Sequence, residues 1–243
     1  FDMATYTLTG AIKPSTANLT IKNGTIVNKN SSVSAIEINA GSLTLNEDVT
    51  IESARHAVRI DGNVTATING GYYEVNAYDS GKTQHTVNVS GTANVTIVGG
   101  TFVGPKGTSA DSGAAVNVQS GATVSISGGS FSGGKNNTLA SKGTLTLKGG
   151  TYDQDVASFC AEGYISESNG NGTWTVRQAN YVAQIGTVKY ESLDEAFAAA
   201  TEGQTVTMLT NITEDFDINN TANVIFDMAT YTLTGAIKPS TAN

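Results

Sequence analysis

The chain has 243 residues and a net charge of −8 at pH 7, with 27 Gly, 3 Pro and 14% charged residues. Its hydrophobic content of 39% is too high for a disordered tail. The acidic balance disfavours a nucleic-acid partner, because the phosphate backbone is polyanionic. No apolar run approaches the ~20 residues of a membrane-spanning helix, so we expect no membrane insertion by this segment. A single cysteine, Cys160, leaves two readings: a small buried side chain or a disulfide between neighbouring chains.

A short strand template recurs along the first two thirds of the chain. Four copies are clear, namely LTIKNGTI (19–26), VTIVGGTF (95–102), VSISGGSF (124–131) and LTLKGGTY (145–152). ATINGGYY (66–73) fits with one change, and SLTLNEDVTI (42–51) fits loosely. The last apolar residue before each turn recurs every 21–29 residues, at Ile21, Leu45, Ile68, Ile97, Ile126 and Leu147. A period in this range indicates stacked structural repeats.

Each step of this repeat holds two further strand-like segments. One precedes the template and alternates apolar and polar residues, in AIEI (35–38), AVRI (57–60), TVNV (86–89), AVNV (115–118) and TLA (138–140). The other follows the glycines and carries one aromatic residue, at Tyr73, Phe102, Phe131 and Tyr152. Three short strands per step without intervening helices predict an all-β fold, a right-handed parallel β-helix of about seven or eight rungs.

The alternation also predicts which side chains stack in the core. Val58, Val87 and Val116 should form one internal ladder, the Ile and Leu markers a second and the four aromatic residues a third. On the first sheet, the outward positions fall at Glu37, Arg59, Asn88 and Asn117. Glu37 and Arg59 are expected on neighbouring rungs.

The pattern changes after Tyr152. Two hairpins are expected, at 163–176 and 181–190. SLDEAFAAAT (192–201) predicts a short helix with a capping box at Ser192 and Glu195, and Gly203 ends it. We expect three regions: β-helix rungs over 1–162, closing and linking hairpins over 163–190, and a capping helix with the first rungs of the next repeat over 191–243.

The same eighteen residues, FDMATYTLTGAIKPSTAN, occur at 1–18 and again at 226–243. An identity of this length predicts a window on a tandem array of 225-residue repeats. Two arrangements stay open: one long covalent chain, or separate chains that overlap through the duplicated segment. In either, identical repeats are the partners, and the candidate inter-repeat contacts are Phe1, Tyr6, Leu8, Phe226, Tyr231 and Leu233.

Two segments resemble known β-helix proteins. SLDEAFAAATEGQTVTML resembles the beginning of pectin-lyase-like right-handed β-helix domains. GGTYDQDVASFCAEGYISESNGNGTWTV resembles the end of β-helix repeats in large surface proteins of gut and other Gram-positive bacteria. The resemblance implies an extracellular, cell-surface stalk or adhesin, with the helix capping one end of the β-helix.

The residues that could carry chemistry are few. The Asp, Lys and Arg cluster of pectin-lyase-like enzymes does not line up here, so we expect no enzyme, no catalytic residue, no cofactor and no metal. The longest rungs, over 74–86 and 103–114, should project two loops side by side. They supply candidate recognition residues, at Tyr78, Asp79, Lys82, His85, Lys106 and Asp111. His56 should lie on the rung next to His85.

These observations favour a structural extracellular fibre or stalk over a catalyst, since a catalyst does not need identical copies. The first alternative is a multivalent adhesin that binds host glycan or matrix protein through the exposed loops. A polysaccharide lyase or hydrolase is the second alternative.

Overall fold

The computed structural model describes residues 1–14, 17–76, 83–105, 113–133, 138–218 and 220–239. It divides into two compact domains, an N-terminal domain (Phe1–Gln178) and a C-terminal domain (Ala179–Asn243). Each is described below by itself.

The N-terminal domain is built from short strands and one turn of 3-10 helix (Ala157–Phe159). In chain order its strands are β1 (Thr7–Thr9), β2 (Ala17–Ile21), β3 (Thr25–Asn28), β4 (Ile36–Leu45), β5 (Thr50–Ser53), β6 (Val58–Ile68), β7 (Tyr72–Val75), β8 (Val87–Val89), β9 (Asn94–Ile97), β10 (Thr101–Val103), β11 (Val116–Val118), β12 (Thr123–Ile126), β13 (Ser130–Ser132), β14 (Leu139–Ser141), β15 (Thr144–Leu147), β16 (Thr151–Tyr152), β17 (Tyr164–Ser168) and β18 (Trp174–Gln178).

These strands form two large sheets. The first, which we call the aromatic sheet, has the order β1-β3-β5-β7-β10-β13-β16 with every pair parallel, and β18 and β17 then extend it antiparallel. The second sheet consists of two columns of stacked strands that lie side by side. The long strands β4 and β6 belong to both columns. One column continues from β6 into β8, β11 and β14, and the other into β9, β12 and β15. The chain is therefore an all-β parallel β-helix, as the sequence predicts.

Like residues lie above one another in all three predicted ladders. Val58, Val87 and Val116 pair in sequence, as do the markers Ile68, Ile97, Ile126 and Leu147. The aromatic residues pair in the same way, at Tyr73, Phe102, Phe131 and Tyr152. All are essentially inaccessible to solvent. The three predicted ladders are confirmed.

The aromatic ladder is a continuous stack of rings. Successive ring centroids are 4.8–5.0 Å apart and the planes differ by 3–9°, close to the ~4.8 Å spacing of adjacent strands. The two tyrosines at its ends need partners for their hydroxyls. Tyr73 donates to the carbonyl of Gly70 at 2.7 Å, and Tyr152 to that of Gly149 at 2.8 Å. Each phenol thus satisfies its polar group inside the core.

Glycine makes the corner before each aromatic strand. Gly100, at φ +112°, shows why: a Cβ there would lie 3.0–3.2 Å from backbone atoms of Gly71 and Gly70 on the previous rung. Both the positive φ and the close approach of two backbones require a residue without a side chain.

The C-terminal domain begins with the second predicted hairpin and the predicted helix. Its elements are β19 (Ala183–Ile185), β20 (Val188–Tyr190), α1 (Leu193–Ala199), β21 (Thr205–Met208), β22 (Ile212–Thr213), β23 (Phe216–Ile218), β24 (Ile225–Asp227), β25 (Leu233–Thr234) and β26 (Ile237–Pro239). Ser192 caps α1 by accepting the N–H of Glu195 at 3.1 Å. The helix buries Leu193, Ala196 and Phe197.

Rung-like parallel pairing resumes after α1. β21 pairs with β24, β22 with β25 and β23 with β26, all parallel and about 21 residues apart in sequence. The core of this domain centres on three aromatic rings, Phe197, Phe216 and Phe226.

Candidate functional site

Most of the predicted recognition corner, namely Tyr78, Asp79, Lys82, Lys106 and Asp111, lies outside the described residues. His85 is described, and it is not the exposed loop residue that the sequence predicts. Its exposed fraction is 8%. The physical reason is that the His85 ring stacks on His56, and that its backbone N–H and its Nδ1 are hydrogen-bonded to His56 and Ala114 on the neighbouring rungs.

His56 and His85 form a short ladder of their own. The rings are stacked, with centroids 5.6 Å apart and planes within 4°. The predicted neighbouring positions of the two histidines are therefore confirmed. The strand register explains these positions. Val58 pairs with Val87, and His56 and His85 each come two residues before these valines.

The backbone fixes the tautomer of both rings. His85 Nδ1 accepts the N–H of Ala114 at 2.9 Å. His56 Nδ1 lies 2.9 Å from the backbone nitrogen of His85 and 3.1 Å from its carbonyl oxygen. Because the N–H of His85 is directed at this nitrogen, His56 Nδ1 is the acceptor. A nitrogen that accepts cannot carry the proton, so each neutral ring has its hydrogen on Nε2. Burial is the largest cause that lowers the pKa of His56 to about 4 and that of His85 to about 3, with the Arg55 charge adding to it. Both rings are neutral at pH 7.

The outward side of the first column carries a group of three charged residues and a pair of asparagines. Arg59 lies 3.2 Å from Glu37 and 3.2 Å from Asp61, which confirms the predicted proximity of Glu37 and Arg59. Asn117 donates its amide to Asn88 Oδ1 at 2.7 Å. The sequence places both asparagines facing outward, yet they are only 8% and 9% exposed. Each is partly covered by its like neighbour on the next rung.

Beside these residues lies a shallow depression of about 360 Å³, lined by Arg55, His56, Arg59, Thr83, His85, Asn88 and Gln119. Nearly every polar group of this lining is a hydrogen-bond donor, or can be one. Arg55 Nη1 differs from the other lining groups, because it is buried and has no hydrogen-bond partner among the described residues. No pattern in the sequence points to Arg55 or Gln119, because neither belongs to a ladder.

The described residues offer little for other chemistry. Among them, no group of three or more His, Cys, Asp and Glu is placed to hold a metal ion. None of the described helices is long and apolar enough to cross a membrane. Cys160 is partly buried against the core, and burial raises the pKa of its thiol.

The duplicated eighteen residues form the second candidate site, and different residues are buried in the two copies. In the first copy, Phe1 and Tyr6 are 61% and 76% exposed, while Met3 is 5% exposed. In the second copy, Phe226 packs edge-on against Phe197 and Phe216, while Met228, the counterpart of Met3, is 42% exposed. Among the other predicted contacts, Leu8 and Leu233 are half-buried and Tyr231 is 37% exposed.

Comparison of the chain with protein-family models, with curated proteins and with solved structures finds no match. Its class is therefore defined by its fold: it is a parallel β-helix protein.

Proposed function

We propose that this chain is part of a structural fibre in which 225-residue repeats join end to end into a continuous β-helix. The observation that supports this most is the environment of the duplicated sequence. Its first copy pairs with the rung that follows it, and its second copy pairs with the rung that precedes it. Together the two copies define both sides of one junction.

The first copy supplies the downstream pairings. Leu8 pairs with Ile26 in the aromatic sheet. Bridges join Asp2 to Lys22 and Ile12 to Ile36 in the two columns of the second sheet. The Asp2 bridge places Phe1 beside Ile21.

The second copy supplies the upstream pairings. Phe226 pairs with Val206, Leu233 with Ile212 and Ile237 with Phe216. By the offset of 225 residues, these three positions are those of Phe1, Leu8 and Ile12. At these three positions, the second copy therefore has the apolar neighbour on the upstream side that the first copy lacks.

Ile237, Phe226 and Leu233 are the same positions of the repeat as Ile12, Phe1 and Leu8. Superimposing the two copies at these positions extends all three core ladders without a break. The first runs through Phe216, Ile237 or Ile12, Ile36, Val58, Val87, Val116 and Leu139. The second runs through Val206, Phe226 or Phe1, Ile21, Leu45, Ile68, Ile97, Ile126 and Leu147. The aromatic ladder runs through Ile212, Leu233 or Leu8, Ile26, Ile51, Tyr73, Phe102, Phe131 and Tyr152.

Such a repeat suits a role in which length and stiffness matter. Each rung buries the face of the next, so stability grows with the number of rungs and no repeat needs a chemistry of its own. An extracellular, cell-surface stalk on a bacterium is the setting that the resemblance of the sequence implies. One covalent chain and separate chains joined through the duplicated segment both satisfy the pairings.

Electron microscopy of the native material tests this proposal. We expect unbranched filaments, and denaturing gels distinguish the two arrangements. A chain many repeats long indicates a covalent array, whereas chains of about one repeat indicate self-assembly. Native material without filaments would remove the fibre proposal.

An adhesin is the second candidate function. The observation that favours it is the donor-lined depression beside His56 and His85, which a fibre would present once per repeat. Retained binding of a glycan or matrix protein after Arg55→Gln would argue against recognition through this depression. Retained binding after replacement of residues 77–82 and 106–112 would argue against the recognition residues that the sequence predicts there.

A further inference from the structure

We propose that the depression lined by Arg55, His56 and His85 is a binding site for a small oxyanion, such as a carboxylate or sulfate group. This inference is independent of the fibre proposal, because it concerns the outward surface of a single repeat.

The first observation is the unpaired guanidinium nitrogen. Arg55 lines the depression, yet its Nη1 is shut off from solvent and, in the part of the chain that the structure describes, has no hydrogen-bond partner. A buried donor without an acceptor is costly, and a bound ion or water is one of the explanations for such a group in native structures. A small rotation of the guanidinium toward a bound anion would give Nη1 an acceptor, in a charge-assisted hydrogen bond.

The second observation is that the histidines are set up as donors. Since both Nδ1 atoms accept backbone N–H groups, both Nε2 atoms carry hydrogen. Within the described part of the chain, neither Nε2–H has a hydrogen-bond partner. The two N–H groups lie on successive rungs, in parallel rings 5.6 Å apart, so they can serve two neighbouring acceptors, or one small anion between them through bent hydrogen bonds.

The third observation is that the remaining lining also donates. Asn88 Oδ1 already accepts from Asn117, so the amide nitrogen of Asn88 is the group left for a ligand. Arg59 contributes positive charge, although Glu37 and Asp61 partly neutralise it from the side. No carboxylate belongs to the described lining of the depression. In the described lining, Arg55 supplies the positive charge that no carboxylate pairs, and donors outnumber acceptors, which favours an anionic ligand that accepts hydrogen bonds.

Titration of the folded chain with sodium sulfate, and separately with sodium acetate, tests the site. The ionic strength is held constant with sodium chloride, and binding is followed through the imidazole ¹H–¹⁵N signals and by calorimetry. We expect saturable shifts of the Nε2 signals of both histidines. Arg55→Gln should weaken binding about tenfold to a hundredfold, the effect of removing a hydrogen bond to a charged group.

Arg177→Gln is the matched control, because Arg177 pairs with Glu167 in the closing hairpin. It should leave the affinity unchanged. Circular dichroism establishes that each variant is folded, and Arg55→Lys, which keeps the charge but loses the planar fork, should bind with intermediate affinity. Preference for sulfate or for acetate identifies the class of anion. Absence of saturable shifts with both salts, or equal affinity in Arg55→Gln, would overturn the proposal.

Discussion

At the scale of the residue, position on the rung decides what each side chain does. Tyr72 and Tyr73 are neighbours in β7, yet Tyr73 is inaccessible and Tyr72 is 36% exposed. The outward Tyr72 hydroxyl donates to Glu74 at 2.9 Å, whereas Tyr73 stacks on Phe102 in the core. Because side chains alternate between the two faces of a strand, two chemically identical residues contribute differently to the free energy of unfolding.

We expect Tyr73→Ala to lower the free energy of unfolding by about 3–5 kcal/mol, as for other large aromatic residues truncated in a core. Tyr72→Ala, the matched control, should cost under about 1 kcal/mol because the site is on the surface. Denaturant unfolding monitored by circular dichroism measures both. Equal losses would contradict the assignment of faces in β7.

The buried histidines predict a specific dependence of stability on pH. Their folded pKa values, about 4 and about 3, lie below the value of 6.5 in the unfolded chain. Between these limits the unfolded state binds more protons, so stability is fully present above pH 6.5 and is lost as the pH falls. We expect a loss of roughly 3–6 kcal/mol between pH 7 and pH 4.

The double variant His56→Asn/His85→Asn separates this effect from other acid effects. Asn Oδ1 can accept the same backbone N–H groups, but it does not titrate. Asp2, whose hydrogen bonds to Asn23 and Ala4 lower its pKa to about 2, loses its contribution only below its ordinary value of 3.8. Unfolding curves from pH 7 to pH 4 should therefore flatten in the variant. An unchanged pH dependence would rule out the histidines as its cause.

At the scale of the element, strands and corners work as a unit. Each aromatic strand is two to four residues long and depends on the rungs above and below it for its hydrogen bonds. The corner before it depends on a glycine whose backbone touches the previous rung. The helix α1 differs, because its N-cap and its apolar face are readable from the local sequence alone.

We expect Gly100→Ala to be more destabilising than Gly172→Ala, although both glycines have positive φ. A Cβ at Gly100 would press on the backbone of the previous rung, whereas at Gly172 nothing lies within 4 Å. The difference should be roughly 2 kcal/mol, the typical cost of forced overpacking. Thermal and denaturant unfolding of the two variants measure it. A smaller loss in Gly100→Ala would show that the rungs separate there without cost.

At the scale of the whole molecule, the duplicated sequence allows a permuted chain with no foreign residues. Joining residue 225 directly to residue 1 recreates the sequence around Phe226, since Phe1 and Phe226 are the same position of the repeat. In the permuted chain 179–225 followed by 1–178, one copy has both neighbouring rungs.

We expect this permuted chain to unfold at a temperature about 5 °C higher than the chain 1–225, because full burial of one Phe stabilises by about 1.5–3 kcal/mol. Phe1→Ser in the permuted chain should remove most of the gain. Thermal unfolding by calorimetry compares the three chains. A permuted chain no more stable than 1–225 would contradict the proposed junction.

The sequence by itself determined the β-helix, its three core ladders, the hairpins and the capped helix. In-register parallel stacking places like residue over like residue, so a repeat in the sequence is already a contact in space. The sequence did not predict that His85, Asn88 and Asn117 are covered, that the His rings are fixed as donors, or that Arg55 buries an unpaired nitrogen. Burial and hydrogen-bond partners depend on what the adjacent rungs place beside each atom, and only the tertiary structure decides that.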